Sequence, residues 1–78
     1  MYKSTVVKQA DAVVRWSEQQ AKITELGVTS DNLTSAVENE DGTVTYQRTW
    51  PTAEVANAWV AWSLTHPGVT SGTVEEIV

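Results

Sequence analysis

Few residues of a type that does chemistry are present, and most of them are scattered. His66 is the only histidine, and the 78 residues include no cysteine. A single imidazole without a thiolate does not make a transition-metal set. No Gly-rich phosphate loop, nucleophile elbow or Ser/His/Asp arrangement is present either. His66 stands just before Pro67-Gly68, where a cation complements the negative end of a helix. It is therefore expected to cap a helix or face water rather than act as a general base. Glu38, Glu40 and Asp41 fall close together but lack the spacing and length of an EF-hand loop, so they read as a solvated acidic turn. Glu75 and Glu76 are adjacent and alternate faces on a strand, so they do not act as a carboxylate pair. They are expected to discourage edge pairing, and an edge that pairs in a dimer is equally consistent with them. Asn32-Leu33-Thr34 matches a glycosylation sequon but carries no meaning without a secretory signal.

One constellation remains. Tyr46 and Arg48 lie two residues apart and on a strand would share a face. A guanidinium and a phenol so placed would line a pocket for an anionic or phenolic ligand, with Trp50 or Trp59 as its wall. The alternative is an Arg48 stem packed over Trp50 or Tyr46 with its head in water. No catalytic residue, metal or cofactor is expected, and the chain reads more as a binding protein than as an enzyme.

The elements that must position these residues follow from periodicity. Gln9 to Leu26 predicts a helix: Asp11, Arg15, Glu18, Gln19, Lys22 and Glu25 share one arc. Ala10, Ala12, Val13, Val14, Trp16, Ala21, Ile23 and Leu26 fill the rest, an amphipathic division. Asp11–Arg15 and Glu18–Lys22 are acid-before-base i,i+4 pairs, and Gly27 supplies the stop. A second helix is expected from Thr52 to Thr65, with Pro51 before it, Thr52 as N-cap and Glu54 in its first turn. Tyr2 to Lys8, Leu33 to Glu38, Thr43 to Trp50 and Thr70 to Val78 read as strands. Asn39-Glu40-Asp41-Gly42 is the hairpin turn, and Gly27 to Asn32 is the one sizeable loop. In Thr43–Trp50 the alternation is strict. Val44, Tyr46, Arg48 and Trp50 share one face, and the Thr and Gln residues take the other. The first face either turns toward the helices or, in the opposite register, puts an aromatic stripe on the open side of the sheet. The order β-α-β-β-α-β is the split βαβ pattern of a ferredoxin-like α+β fold. It predicts a four-stranded antiparallel sheet with both helices on one face and the first and third strands central.

Residues 1–78 are one domain by size, and such a chain buries only roughly 60–65% of its unfolded surface. With 41% hydrophobic and 19% charged residues the composition is that of a globular protein. Apolar runs are too short for a membrane span. Five basic residues against ten acidic give a net charge of −5, which argues against nucleic acid or an anionic membrane as partner. The N-terminal stretch has no signal-peptide character, which predicts a cytoplasmic protein. Four Trp and no Phe are a heavy aromatic load for one small core. A homodimer is expected, with some of these rings covered by a second subunit.

The stretch Arg48-Thr49-Trp50-Pro51-Thr52-Ala53-Glu54-Val55-Ala56-Asn57-Ala58-Trp59-Val60 resembles the second half of dimeric α/β-barrel proteins, the monooxygenase-like branch of ferredoxin-like folds. It also resembles short uncharacterised proteins of bacteriophages and marine metagenomes. The likeness covers thirteen residues and the element order. It implies a fold and dimerisation through sheet faces or edges. It implies no activity, because the polar residue or haem-ligating His of the catalytic members has no match here. The sequence thus points to a small acidic binding or accessory protein, phage-encoded by resemblance. A small-molecule-binding or catalytic barrel subunit using Arg48 and Tyr46 is the other reading. A cavity between sheet and helices with Arg48 pointing inward would favour the latter; a solid core with Arg48 in water would favour the former.

Overall fold

A computed structural model describes residues 1–12, 15–29 and 32–77. The elements run β1 (Tyr2–Gln9), α1 (Trp16–Glu25), β2 (Leu33–Glu38), β3 (Thr43–Trp50), α2 (Ala53–Leu64) and β4 (Val69–Glu76). The strands form one antiparallel sheet in the order β2-β3-β1-β4. The result is an α+β domain in which β1 and β3 are central, as the element order predicts.

The register sorts side chains between two faces. Val6 lies opposite Tyr46 on β3 and Gly72 on β4, and Tyr2 lies opposite Trp50. Val6 and Trp50 are buried, together with Ile23 of α1 and Ala56, Trp59 and Val60 of α2. Both helices therefore cover the same face of the sheet. Lys3, Thr5, Val7, Thr43, Thr45, Gln47 and Thr49 take the other face. Gly72 permits the close approach of α2 to β4: a Cβ built on it would meet Val60 Cγ1 at 2.6 Å.

Strand β3, strand β2 and the hairpin between them form as the sequence predicts. The Asn39 N–H donates to Thr43 O at 2.8 Å, and the Gly42 N–H donates to Asn39 O at 3.0 Å. Gly42 has a φ of +88°, which a tight turn requires there. Helix α2 also starts where expected, with the Thr52 hydroxyl accepting from the Val55 N–H at 3.3 Å. The last strand begins one residue earlier than expected and ends at Glu76; Val78 lies outside the described residues.

The first helix is shorter than its periodicity implies. It begins at Trp16 rather than Gln9, because Gln9 is still part of the sheet. Gln9 lies opposite Thr43, its N–H donates to Gly68 O at 2.8 Å, and its carbonyl accepts from Ala12 at 3.0 Å. Ladder hydrogen bonds and a turn thus take the residues that the helical wheel claimed. Asp11 consequently lies outside the helix and cannot form the expected helical pair with Arg15. Lys22 meets Glu25 at 3.3 Å, not Glu18. Val13 and Val14, placed on the apolar arc, lie outside the described residues. Trp16, on the same face as Ile23 but two turns earlier, is 58% exposed: the core contact is made by Ile23 and Leu26 at the other end. Gly27, at a φ of +86°, ends the helix and donates to Thr24 O at 2.9 Å.

Trp50 is fully buried, so its indole N–H needs an internal partner. Ser4, across the strand pair from Arg48, supplies it: Trp50 Nε1 donates to Ser4 Oγ at 2.9 Å, and Ser4 Oγ lies 3.5 Å from Arg48 O. Ser4→Ala is expected to destabilise the fold by about 1–3 kcal/mol, because it orphans a buried donor. Chemical denaturation of the two proteins checks this, and an unchanged midpoint would show that water replaces the hydroxyl.

Candidate functional site

The side chains of β1 and β3 that point toward the helices frame a cleft. Val6 and Lys8 alternate on one strand, and Tyr46 and Arg48 on the next. Trp59, Trp62 and Ser63 of α2 close one side, Gln19 of α1 reaches in from the other, and Val69 completes the wall. The cleft is partly open, with about 40 Å³ available to the centres of water-sized groups.

Arg48 points inward and is only 3% exposed. Its guanidinium lies 5.2 Å from the centre of the Trp59 ring. Nη1 donates to Asn32 Oδ1 at 3.0 Å, and Nη2 donates to Gln19 Oε1 at 3.4 Å. Asn32 is itself fixed by donating from Nδ2 to Thr49 O at 2.9 Å. The charge is thus held by amide oxygens and an aromatic face. The expectation of an arginine head in water, with its stem on Trp50 or Tyr46, does not hold.

Lys8 is the second cation of the cleft. Its Nζ donates to Ala12 O at 3.3 Å and sits 5.4 Å from the centre of the Tyr46 ring. Among the described residues it makes no ion pair with a carboxylate. The Tyr46 hydroxyl likewise has no hydrogen-bond partner among them. Both groups are half-buried and reach the open side of the cleft, where water or a ligand can meet them.

The aromatic residues form a continuous ladder. Trp50 and Trp59 have ring centres 5.3 Å apart, Trp59 and Trp62 are 5.1 Å apart, and the His66 ring meets Trp62 edge-on at 4.4 Å. Of the four residues singled out from sequence, Tyr46, Arg48 and Trp59 line the cleft. Trp50 does not, being fully buried beside Trp59. His66 ends α2, with Nδ1 3.0 Å from Trp62 O and Nε2 3.9 Å from Glu18. It caps the helix and does not line the cleft.

Sequence reasoning missed Lys8, Gln19 and Trp62. Lys8 was within reach of it, since Tyr2, Ser4, Val6 and Lys8 alternate in step and share the buried face. Gln19 was assigned to the polar arc of α1, which does not show that this arc borders a cleft. At the hairpin, Asp41 accepts from the Thr43 hydroxyl at 2.6 Å and from the Thr43 N–H at 3.0 Å. These bonds hold its carboxyl below the usual carboxylate range. Among the described residues no group of three metal-ligating side chains comes together, and no helix is long and apolar enough to cross a membrane.

No family model matches the chain, and no curated protein or solved structure matches it significantly. Its chemistry is therefore read from this geometry alone.

Trp59 touches the core, the guanidinium and the cleft together. Trp59→Ala is expected to cost about 3–5 kcal/mol, the usual range for removing a buried aromatic ring. Thermal or denaturant unfolding measures it; near-neutral stability would place the ring outside the cooperative core.

Proposed function

We propose that the protein is a ferredoxin-like binding module that takes a small anionic molecule into the cleft between sheet and helices. The fold reading rests on the strand order β2-β3-β1-β4 with both helices on one face. The observation that carries the functional reading is the Lys8 ammonium, held over the Tyr46 ring with no carboxylate of the described residues against it. Arg48 adds its field from the floor of the same cleft. Two of only five basic residues in a chain of net charge −5 thus converge on one concavity. A half-buried cation is costly unless something polar meets it, and an anion entering a partly desolvated cleft meets it best. Apolar walls with a few fixed polar groups are the general form of a small-molecule site.

A two-dimensional NMR titration with acetate and with inorganic phosphate tests the reading. At least one anion is expected to give saturable shifts at Lys8, Tyr46 and the Trp59 and Trp62 indoles, and Lys8→Met is expected to weaken that binding by about tenfold or more. Shifts scattered over the surface, or none, would remove the proposal.

A second subunit is proposed as well, against the open sheet face. That face carries Lys3, Thr5, Val7, Ser35, Val37, Thr45, Gln47, Thr49, Ser71, Thr73 and Glu75. Its two charges neutralise each other, Lys3 Nζ lying 2.9 Å from Glu75 Oε1. An acidic chain with one broad neutral face can meet its own copy there without repulsion, and charge depletion marks interface cores. Light scattering over a dilution series is expected to give twice 8.5 kDa, and Thr5→Glu is expected to split the pair. A steady single-chain mass for the unaltered protein would rule the dimer out.

A further inference from the structure

The cleft also limits what kind of anion it holds, if the reading above is correct. We infer that its ligand is a short-chain aliphatic monocarboxylate. Three observations lead there, and they concern charge, size and wall chemistry.

The charge available to a ligand is close to one unit. Arg48 is occupied by Asn32 and Gln19 and stacked on Trp59, so its planar fork is not presented to an incoming group. Phosphate recognition draws on such forks or on several converging donors. Lys8 is the one cation of the cleft with N–H groups to spare, with the neutral Tyr46 hydroxyl beside it, and a single ammonium suits a monoanion. The net charge of −5 further opposes the approach of polyanions.

The size limit is tight. The 40 Å³ open to the centres of water-sized groups is far below the roughly 300–1,000 Å³ of a pocket for a drug-sized ligand. A carboxylate with a short carbon chain suits such a space.

The walls match such a tail. Val6, Val69 and the indoles of Trp59 and Trp62 all line the cleft and offer the methylenes apolar surface. The Tyr46 hydroxyl, beside Lys8, donates to the second carboxylate oxygen. A neutral alcohol of the same size would leave the Lys8 ammonium unmatched.

The test is an NMR titration of the full chain with acetate, propionate, benzoate and inorganic phosphate, read at Lys8, Tyr46 and the Trp59 and Trp62 indoles. Propionate is expected to bind roughly fourfold more tightly than acetate, the value of one buried methylene. Benzoate is expected to bind more weakly than propionate because the ring overfills the space. Lys8→Met is expected to weaken propionate binding by about tenfold or more, as for the loss of a charged hydrogen bond. Tyr46→Phe should weaken it less and leave the fold intact. Phosphate or benzoate binding best at these same residues would overturn the monocarboxylate assignment and leave the anion-binding reading standing. Unsaturable shifts with every anion would overturn both.

Discussion

A permanently charged guanidinium inside a core of about six buried apolar residues is the constraint around which this domain is arranged. Removing such a charge from water costs several kcal/mol even after relaxation. In a domain whose total stability is about 5–15 kcal/mol the fold has to meet that cost locally. The surroundings of Arg48 do so in layers. Trp59 offers its ring face, Gln19 and Asn32 offer amide oxygens, and Asn32 is anchored in turn on the β3 backbone. The same three contacts tie α2, α1 and the loop before β2 to the middle of the sheet.

This arrangement explains why α1 holds its place with a single buried residue. Ile23 is the only fully buried side chain of the helix, and one isoleucine fixes neither rotation nor tilt. The Gln19 bond to Arg48 and the approach of Glu18 to His66 supply directional contacts that an apolar stripe lacks. Gln19 and Arg48, the partners in one of these contacts, also line the cleft, so the packing of α1 and the cleft share residues.

The sequence showed the sheet clearly and the helix–sheet interface poorly, for physical reasons. Strict alternation from Thr43 to Trp50 sorts the side chains into two faces but leaves open which one turns inward. The helices cover the face of Trp50, and a slip of one residue would bury four polar groups in its place. The Asp41-Gly42 dipeptide and the Thr52 cap are local signals, and the structure keeps both. The start of α1 was not legible. Residues Gln9 to Ala12 satisfy a helical wheel, yet Gln9 gains more from its place opposite Thr43 and from Gly68 than from a helix it would begin. That competition depends on Thr43 of β3 and on Gly68, just before β4, which no local window contains.

The candidate site was half legible for the same reason. Tyr46 and Arg48 were found because strand periodicity places them on one face, and Trp59 because it follows on the next helix. Trp50 shares that strand face but lies one step further along, where the helices leave no gap. Whether an inward position lines a cleft or fills a core depends on how closely the helices approach the sheet, which no single strand's pattern contains. Gly72 lets α2 come down onto β4. Arg48 bonds Gln19 of α1, and both line the cleft that Lys8 and Tyr46 share, so the cleft is bounded by the same residues that join α1 to the sheet.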